Sequence, residues 1–150
     1  MLRALTAFLL PLLGAPLPAT TTRVPSGLRP ATSEGTWTWT GGSNQVNAPG
    51  VYGTKGVPGP GNFPGARHGA VTWRTANGDL WLFGGSGYSA AGTGYLNDLW
   101  RWDGTAWTWI SGSDVEDQPG VYGEQGVASP DNVPSARFAA ASSVDSVGNL

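Results

Sequence analysis

Gly78-Asp79-Leu80-Trp81-Leu82-Phe83-Gly84-Gly85 is the stretch on which the fold turns. Successive side chains of an extended chain point to opposite faces, so Leu80 and Leu82 share one face while Trp81 and Phe83 share the other. A strand with large apolar groups on both faces needs cover on both. Upstream, Thr75-Ala76-Asn77-Gly78 supplies an Asn-Gly turn suited to a tight hairpin, and residues 68–73 form the short strand before it, with Val71 and Trp73 on one face. Downstream, residues 86–94 are rich in Gly, Ser and Ala and read as a loop. Residues 96–102 resume extended character, Asp103-Gly104 is a second turn, and residues 107–110 give a fourth strand with Trp107 and Trp109 on one face. Four strands joined by hairpin loops make an antiparallel sheet.

This unit is repeated. Trp37-Thr38-Trp39 recurs as Trp107-Thr108-Trp109, Pro49-Gly50-Val51-Tyr52-Gly53 as Pro119-Gly120-Val121-Tyr122-Gly123, and Ala66-Arg67 as Ala136-Arg137, at an offset of 70 that holds to Leu80 and Leu150. The copies are 37–106 and 107–150, the second truncated where the counterpart of Trp81 would begin. One four-stranded sheet lies near the size below which a chain buries too little surface to be stable alone. The expected remedy is a partner sheet about 10 Å away on each face, as when similar sheets are set radially about an axis in a β-propeller.

Composition narrows the function classes. Eight Lys and Arg against ten Asp and Glu leave a net charge of -2, and only 12% of the 150 residues are charged, so the basic footprint of a nucleic-acid binder is missing. No cysteine is present, which excludes disulfides, thiolate metal sites and a thiol nucleophile in these residues. Met1-Leu2-Arg3 followed by an apolar run to Leu13 has the layout of a secretory signal peptide, too short for the about 20 apolar residues a membrane span requires. Residues 1–19 are read as that signal, residues 20–35, rich in Thr and Pro, as a flexible leader, and residues 36–150 as the folded part. The expected location is secreted or periplasmic.

Ala66-Arg67-His68-Gly69-Ala70, the diglycine strand quoted above, Leu96-Asn97-Asp98-Leu99-Trp100-Arg101-Trp102-Asp103 and Trp107 together resemble the bacterial kelch-repeat family, the β-propeller group that includes the galactose-oxidase central domain. The resemblance implies an all-β, partial kelch-type propeller: one complete four-stranded antiparallel blade at about 67–110, plus the outer strand of a preceding blade at 37–40 and the opening of another at Arg137. Two departures stand out. The period exceeds the usual kelch length of about 50, the surplus lying in residues 42–64 and 112–134. A propeller also closes with about 4 to 8 blades, so further blades are expected in a full-length parent.

The candidate site residues follow from this placement. Arg67 and Arg137 occupy equivalent positions beside the expected axis. They either ring a channel mouth suited to carboxylate ligands or hydrogen-bond loop carbonyls and pair with an acid such as Asp98; repetition in every unit favours the second. Most of the eight Trp are expected inside the wedge between blades, whereas Tyr52, Tyr88, Tyr95 and Tyr122, read as loop residues, are the better ligand contacts. His68, the only histidine, is matched by Phe138 and is read as structural. Copper radical oxidases on this scaffold use two His, two Tyr and a Cys, which this sequence lacks. Asp114, Glu116 and Asp117 do not follow the spacing of an EF-hand loop. No catalytic set, cofactor or metal site is therefore expected in these residues. The reading is a binding module whose inter-blade loops meet a protein or a surface carbohydrate. The alternatives are a fragment of a propeller enzyme whose active residues lie in other blades, and a gene remnant without function.

Overall fold

The computed structural model describes residues 38–146. The signal peptide read at 1–19, the leader at 20–35 and Trp37 lie outside the described residues. Contacts divide the chain into residues 1–39 and 40–150, and the second unit is described below. Among the described residues the protein is all-β, with no helix and five strands: β1 (Arg67–His68), β2 (Val71–Arg74), β3 (Leu80–Tyr88), β4 (Thr93–Trp102) and β5 (Trp107–Ser111). They form one open antiparallel sheet in the order β1-β3-β4-β5, with β2 also pairing with β3. β1 sits opposite residues 86–87 and β2 opposite residues 80–83, so the two share one edge of β3 and the sheet is four strands wide.

The turns form where the sequence suggests, although the first spans residues 75–79 and only Gly78, not Asn77, takes the left-handed angle. Gly78 and Gly104 have φ values of 100° and 99°, in the left-handed region that glycine occupies without penalty. The Asp103 carboxylate accepts from the backbone N–H groups of Thr105 and Ala106 and from the Thr105 hydroxyl, which close the second hairpin.

Several boundaries differ from the sequence reading. Residues 86–94 are not one loop: β3 runs on through Tyr88 and β4 begins at Thr93. The glycines that suggested a loop mark close backbone approach instead. A Cβ at Gly87 would collide with the Ala66 and Arg67 backbone, and one at Gly94 with the Asp117 carboxylate. Tyr88 and Tyr95 are accordingly strand residues. The strand read at 68–73 is split by Gly69-Ala70 into β1 and β2. Thr38, Trp39 and Thr40 belong to no strand, and neither does Arg137.

Among the described residues the two long connections lie against the faces of the sheet. Leu82, Trp100 and Trp109 lie opposite one another across β3, β4 and β5, as do Leu80, Trp102 and Trp107, which places all six on one face. Tyr52 of the first connection packs on Trp100 and Trp109, with ring centroids 4.9 and 5.1 Å apart. The free edge of β5 receives the same connection through Gly56 N–H to Trp109 O and Gly59 N–H to Trp107 O. On the other face Trp73 stacks on Trp81 at 5.6 Å. There Asn132, Val133 and Pro134 of the second connection wall a cleft of about 440 Å³ with Trp73, Trp81, Phe83 and Leu99. The matching residues of the first connection, Asn62, Phe63 and Pro64, wall a cleft of about 410 Å³ against Leu80, Trp102 and Trp107.

This cover is incomplete. Trp100 is fully buried, but Trp73, Trp81, Trp102, Trp107 and Trp109 are only half-buried, and Leu80 is 44% exposed. Among the described Trp residues only Trp100 is fully buried, because a connection covers less of a sheet face than another sheet does. Three buried side-chain atoms without a hydrogen-bond partner, Trp81 Nε1, Arg101 Nε and Thr108 Oγ1, lie in one cross-strand row of the Trp81 face. Arg101 Nε stands 3.9 Å from Asp79 Oδ2, close enough for charge attraction and too far for a hydrogen bond.

Candidate functional site

A buried polar cluster organises the sheet where β1, β4 and the first connection meet. Asp98 of β4 is fully buried, and a buried carboxylate is tolerated only when paired and hydrogen-bonded. Its Oδ1 accepts from Arg67 Nη1 at 2.6 Å. Its Oδ2 accepts from Arg67 Nη2 at 2.8 Å, from the Tyr52 hydroxyl at 2.7 Å and from Trp100 Nε1 at 2.7 Å. Arg67 Nε and Nη1 also donate to Gly65 O and Gly84 O, at 3.0 and 3.1 Å. The guanidinium fork therefore meets the carboxylate in two parallel bonds, the strongest ion-pair geometry available to these groups. Burial, and then the Asp98 carboxylate to which it donates, push the Tyr52 hydroxyl well above the usual tyrosine range. With both Asp98 oxygens and the Tyr52 hydroxyl engaged, the cluster holds three segments together. Arg67 and Tyr52 thus occupy a closed cluster, with the Arg side chain 5% exposed. Of the two readings of the arginine, this placement matches pairing with Asp98.

Arg137 and Tyr122 stand in the same positions of the second connection with a different outcome. Arg137 Nε donates to Ser135 O at 2.9 Å, as Arg67 Nε does to Gly65 O, and its Nη2 reaches Ser135 Oγ at 3.1 Å. The ion pairs among the described residues are Arg67 with Asp98 and Arg101 with Asp79, so no described carboxylate pairs with Arg137. Tyr122 is 66% exposed, against 5% for Tyr52. Hydrogen bonding to Ser135, and then the Arg137 charge, hold its hydroxyl below the usual tyrosine range.

The surface carries an aromatic ledge. The Tyr95 and Phe138 rings stack at 4.9 Å with 12° between planes, and His68 meets Phe138 edge-on at 6.4 Å. Tyr95 is 46% and Phe138 45% exposed, and His68 is exposed rather than packed in a core. Backbone bonds fix the ledge: Arg137 N–H donates to Leu96 O, Gly85 N–H to Arg137 O and Ala139 N–H to Gly69 O. The diglycine makes room for this join. Gly84 and Gly85 have φ values of 62° and 102°, the register shifts between Phe83 and Gly85, and a Cβ on Gly84 would crowd Arg137 O and Leu96 O. Tyr88 is fixed by its backbone N–H to Ala66 O.

The structure thus joins Tyr52 to Arg67, sets Tyr122 beside Arg137, and pairs Tyr95 with a residue that sequence reasoning did not nominate, Phe138. The available signal was its equivalence to His68. The acidic trio is used locally: Ser89 Oγ donates to Glu116 Oε2, Asp117 Oδ1 accepts from Tyr95 N–H, and Asp114 O accepts from Ala90 N–H. Among the described residues no group of three or more His, Cys, Asp or Glu is placed to hold a metal ion, and no helix is long and apolar enough to cross a membrane. Comparison with protein-family models, with curated proteins and with solved structures finds no match.

Proposed function

We propose that the chain is part of an exported kelch-type β-propeller that acts as a binding module, with Tyr95, Phe138 and His68 as its contact surface. The diglycine strand, the four-strand-wide meander and the 70-residue repeat support the propeller reading. So does the meeting of equivalent positions, His68 with Phe138 and Gly69 with Ala139, as expected where successive units converge on a common axis. The observation that carries the binding reading is the stacked, half-exposed Tyr95–Phe138 pair. Flat aromatic faces held by backbone bonds lose little entropy on binding, and they suit the apolar faces of sugar rings.

The test is binding of the full chain to bacterial surface polysaccharides. Tyr95→Ala and Phe138→Ala should each weaken binding about tenfold, the loss of roughly one aromatic contact, with an unchanged circular-dichroism spectrum. Unaltered polysaccharide binding in both variants would remove the ledge from the function. A protein partner would instead show as capture sensitive to the same substitutions in the absence of polysaccharide binding.

A further inference from the structure

The second connection has the conformation of the first without the partners that the first one holds. Val121 and Val133 exchange two backbone bonds of 2.8 Å, as Val51 and Phe63 do at 2.9 Å. Val127 N–H bonds Glu124 O as Val57 N–H bonds Thr54 O, and the Asn132 side-chain amide bonds Val127 O as that of Asn62 bonds Val57 O. Ala136 N–H bonds Gln118 O as Ala66 N–H bonds Ala48 O. In the first copy this frame is filled by β4 and β5: Asp98 takes the Arg67 fork and the Tyr52 hydroxyl, Trp100 lies against the Tyr52 ring, and two β5 carbonyls accept from Gly56 and Gly59. In the second copy the corresponding groups are Arg137, Tyr122, Gly126 and Ser129, with no described carboxylate on the arginine.

We propose that the frame of residues 119–137 is a preformed acceptor for an antiparallel β-hairpin carrying Asp-x-Trp, supplied by a further unit of this same 70-residue repeat. The incoming Asp carboxylate takes the Arg137 fork and the Tyr122 hydroxyl, and the Trp two residues on covers the Tyr122 ring. The second strand of the hairpin accepts from the N–H groups of Gly126 and Ser129. Charge complementarity and the filled first copy both select this occupant. Because the frame is already folded, binding orders mainly the incoming strand pair. The proposal rests on the repeat reading and not on the aromatic ledge, so either can fail alone.

The probe is a labelled peptide of residues 93–111, added to the full chain and followed by fluorescence anisotropy. Binding should weaken about tenfold or more when the peptide carries Asp98→Asn or the chain carries Arg137→Ala, as for one partner of a desolvated charge pair. Arg137→Lys should recover part of the loss. Because an isolated hairpin is marginally stable, a second arm extends the chain after Leu150 with its own residues 81–111, in register with the repeat. There the Arg137→Ala substitution, tolerated in the parent chain, should become as damaging to folding as Arg67→Ala. Equal binding of the unsubstituted and the Asp98→Asn peptides, competition by acetate as strong as by peptide, or an extended chain that stays indifferent to Arg137→Ala would overturn the proposal.

Discussion

The connection at residues 42–64 and its copy at 112–134 adopt the same left-handed backbone at four matched positions, Gly42 and Gly112, Asn47 and Asp117, Gly53 and Gly123, and Gly56 and Gly126. They also share the same internal hydrogen bonds. Yet one buries its tyrosine to 5% exposure and the other leaves it at 66%. The loop conformation is therefore set by the loop's own residues, whereas the burial of its side chains is set by the sheet beside it. Glycine at three of the four positions removes the steric cost of the left-handed region, and the Asn62 or Asn132 amide ties the loop across its middle. What differs is the carboxylate.

The sharpest way to break this comparison is to remove the two arginines in turn. Arg67→Ala leaves the Asp98 charge buried without its counter-ion and should cost about 3–5 kcal/mol in urea unfolding. Arg137→Ala should stay within about 0.5 kcal/mol, as for a surface substitution. Arg67→Lys keeps the charge, loses the fork and should fall between. Equal losses at positions 67 and 137 would mean that the second copy is as engaged as the first. Next in size, Tyr52→Phe removes one of three donors to Asp98 Oδ2 and should cost about 1–2 kcal/mol, whereas Tyr122→Phe should be neutral in the same assay.

The sheet could be read from the sequence because its signals are local. Alternation at residues 80–83, Asn77-Gly78 and Asp103-Gly104 locate three of the hairpin strands directly. The extension of β3 to Tyr88 and of β4 back to Thr93 was hidden because Gly87, Gly92 and Gly94 look like loop residues. Their meaning depends on groups distant along the chain, the Ala66 and Arg67 backbone at Gly87 and the Glu116 and Asp117 carboxylates at Gly92 and Gly94. The Arg67–Asp98 pair was legible as one of two options, since the repeat made Arg67 notable and Asp98 lay near the family-like motif. The junction of Tyr52, Arg67, Asp98 and Trp100 was not, because its bond from Tyr52 to Asp98 spans 46 positions and only the folded sheet brings the two together. Phe138 was missed for the same reason: its stacking partner, Tyr95, lies in the other copy.

A smaller difference separates the connections at residues 55 and 125. Lys55 Nζ lies 4.3 Å from the centre of the Trp109 ring and donates to Gly112 O at 2.8 Å, while the second copy has Gln125. Lys55→Gln converts the first copy to the second at this point and should cost about 0.5–1 kcal/mol, the range of an exposed cation–π contact. No loss on unfolding would show that the edge of β5 is held by Gly56 and Gly59 alone.

The gentlest probe is the titration of the two hydroxyls, which needs no denaturant. Tyr52 has its folded value raised above 10.0 by burial and by Asp98, so folding favours its neutral form. Its contribution is complete below pH 10 and is lost as the pH climbs from there towards the folded value. Tyr122 is shifted the other way by Ser135 and Arg137, so folding favours its ionised form; its contribution is present above pH 10 and disappears as the pH falls through its lowered value. Phenolate absorbance should therefore lose signal on the acid side of pH 10 in Tyr122→Phe and on the alkaline side in Tyr52→Phe. Alkaline unfolding should be less steep in Tyr52→Phe alone. Superimposable difference spectra for the two variants would place both hydroxyls in the same surroundings, and the distinction between a filled and an open copy would be lost.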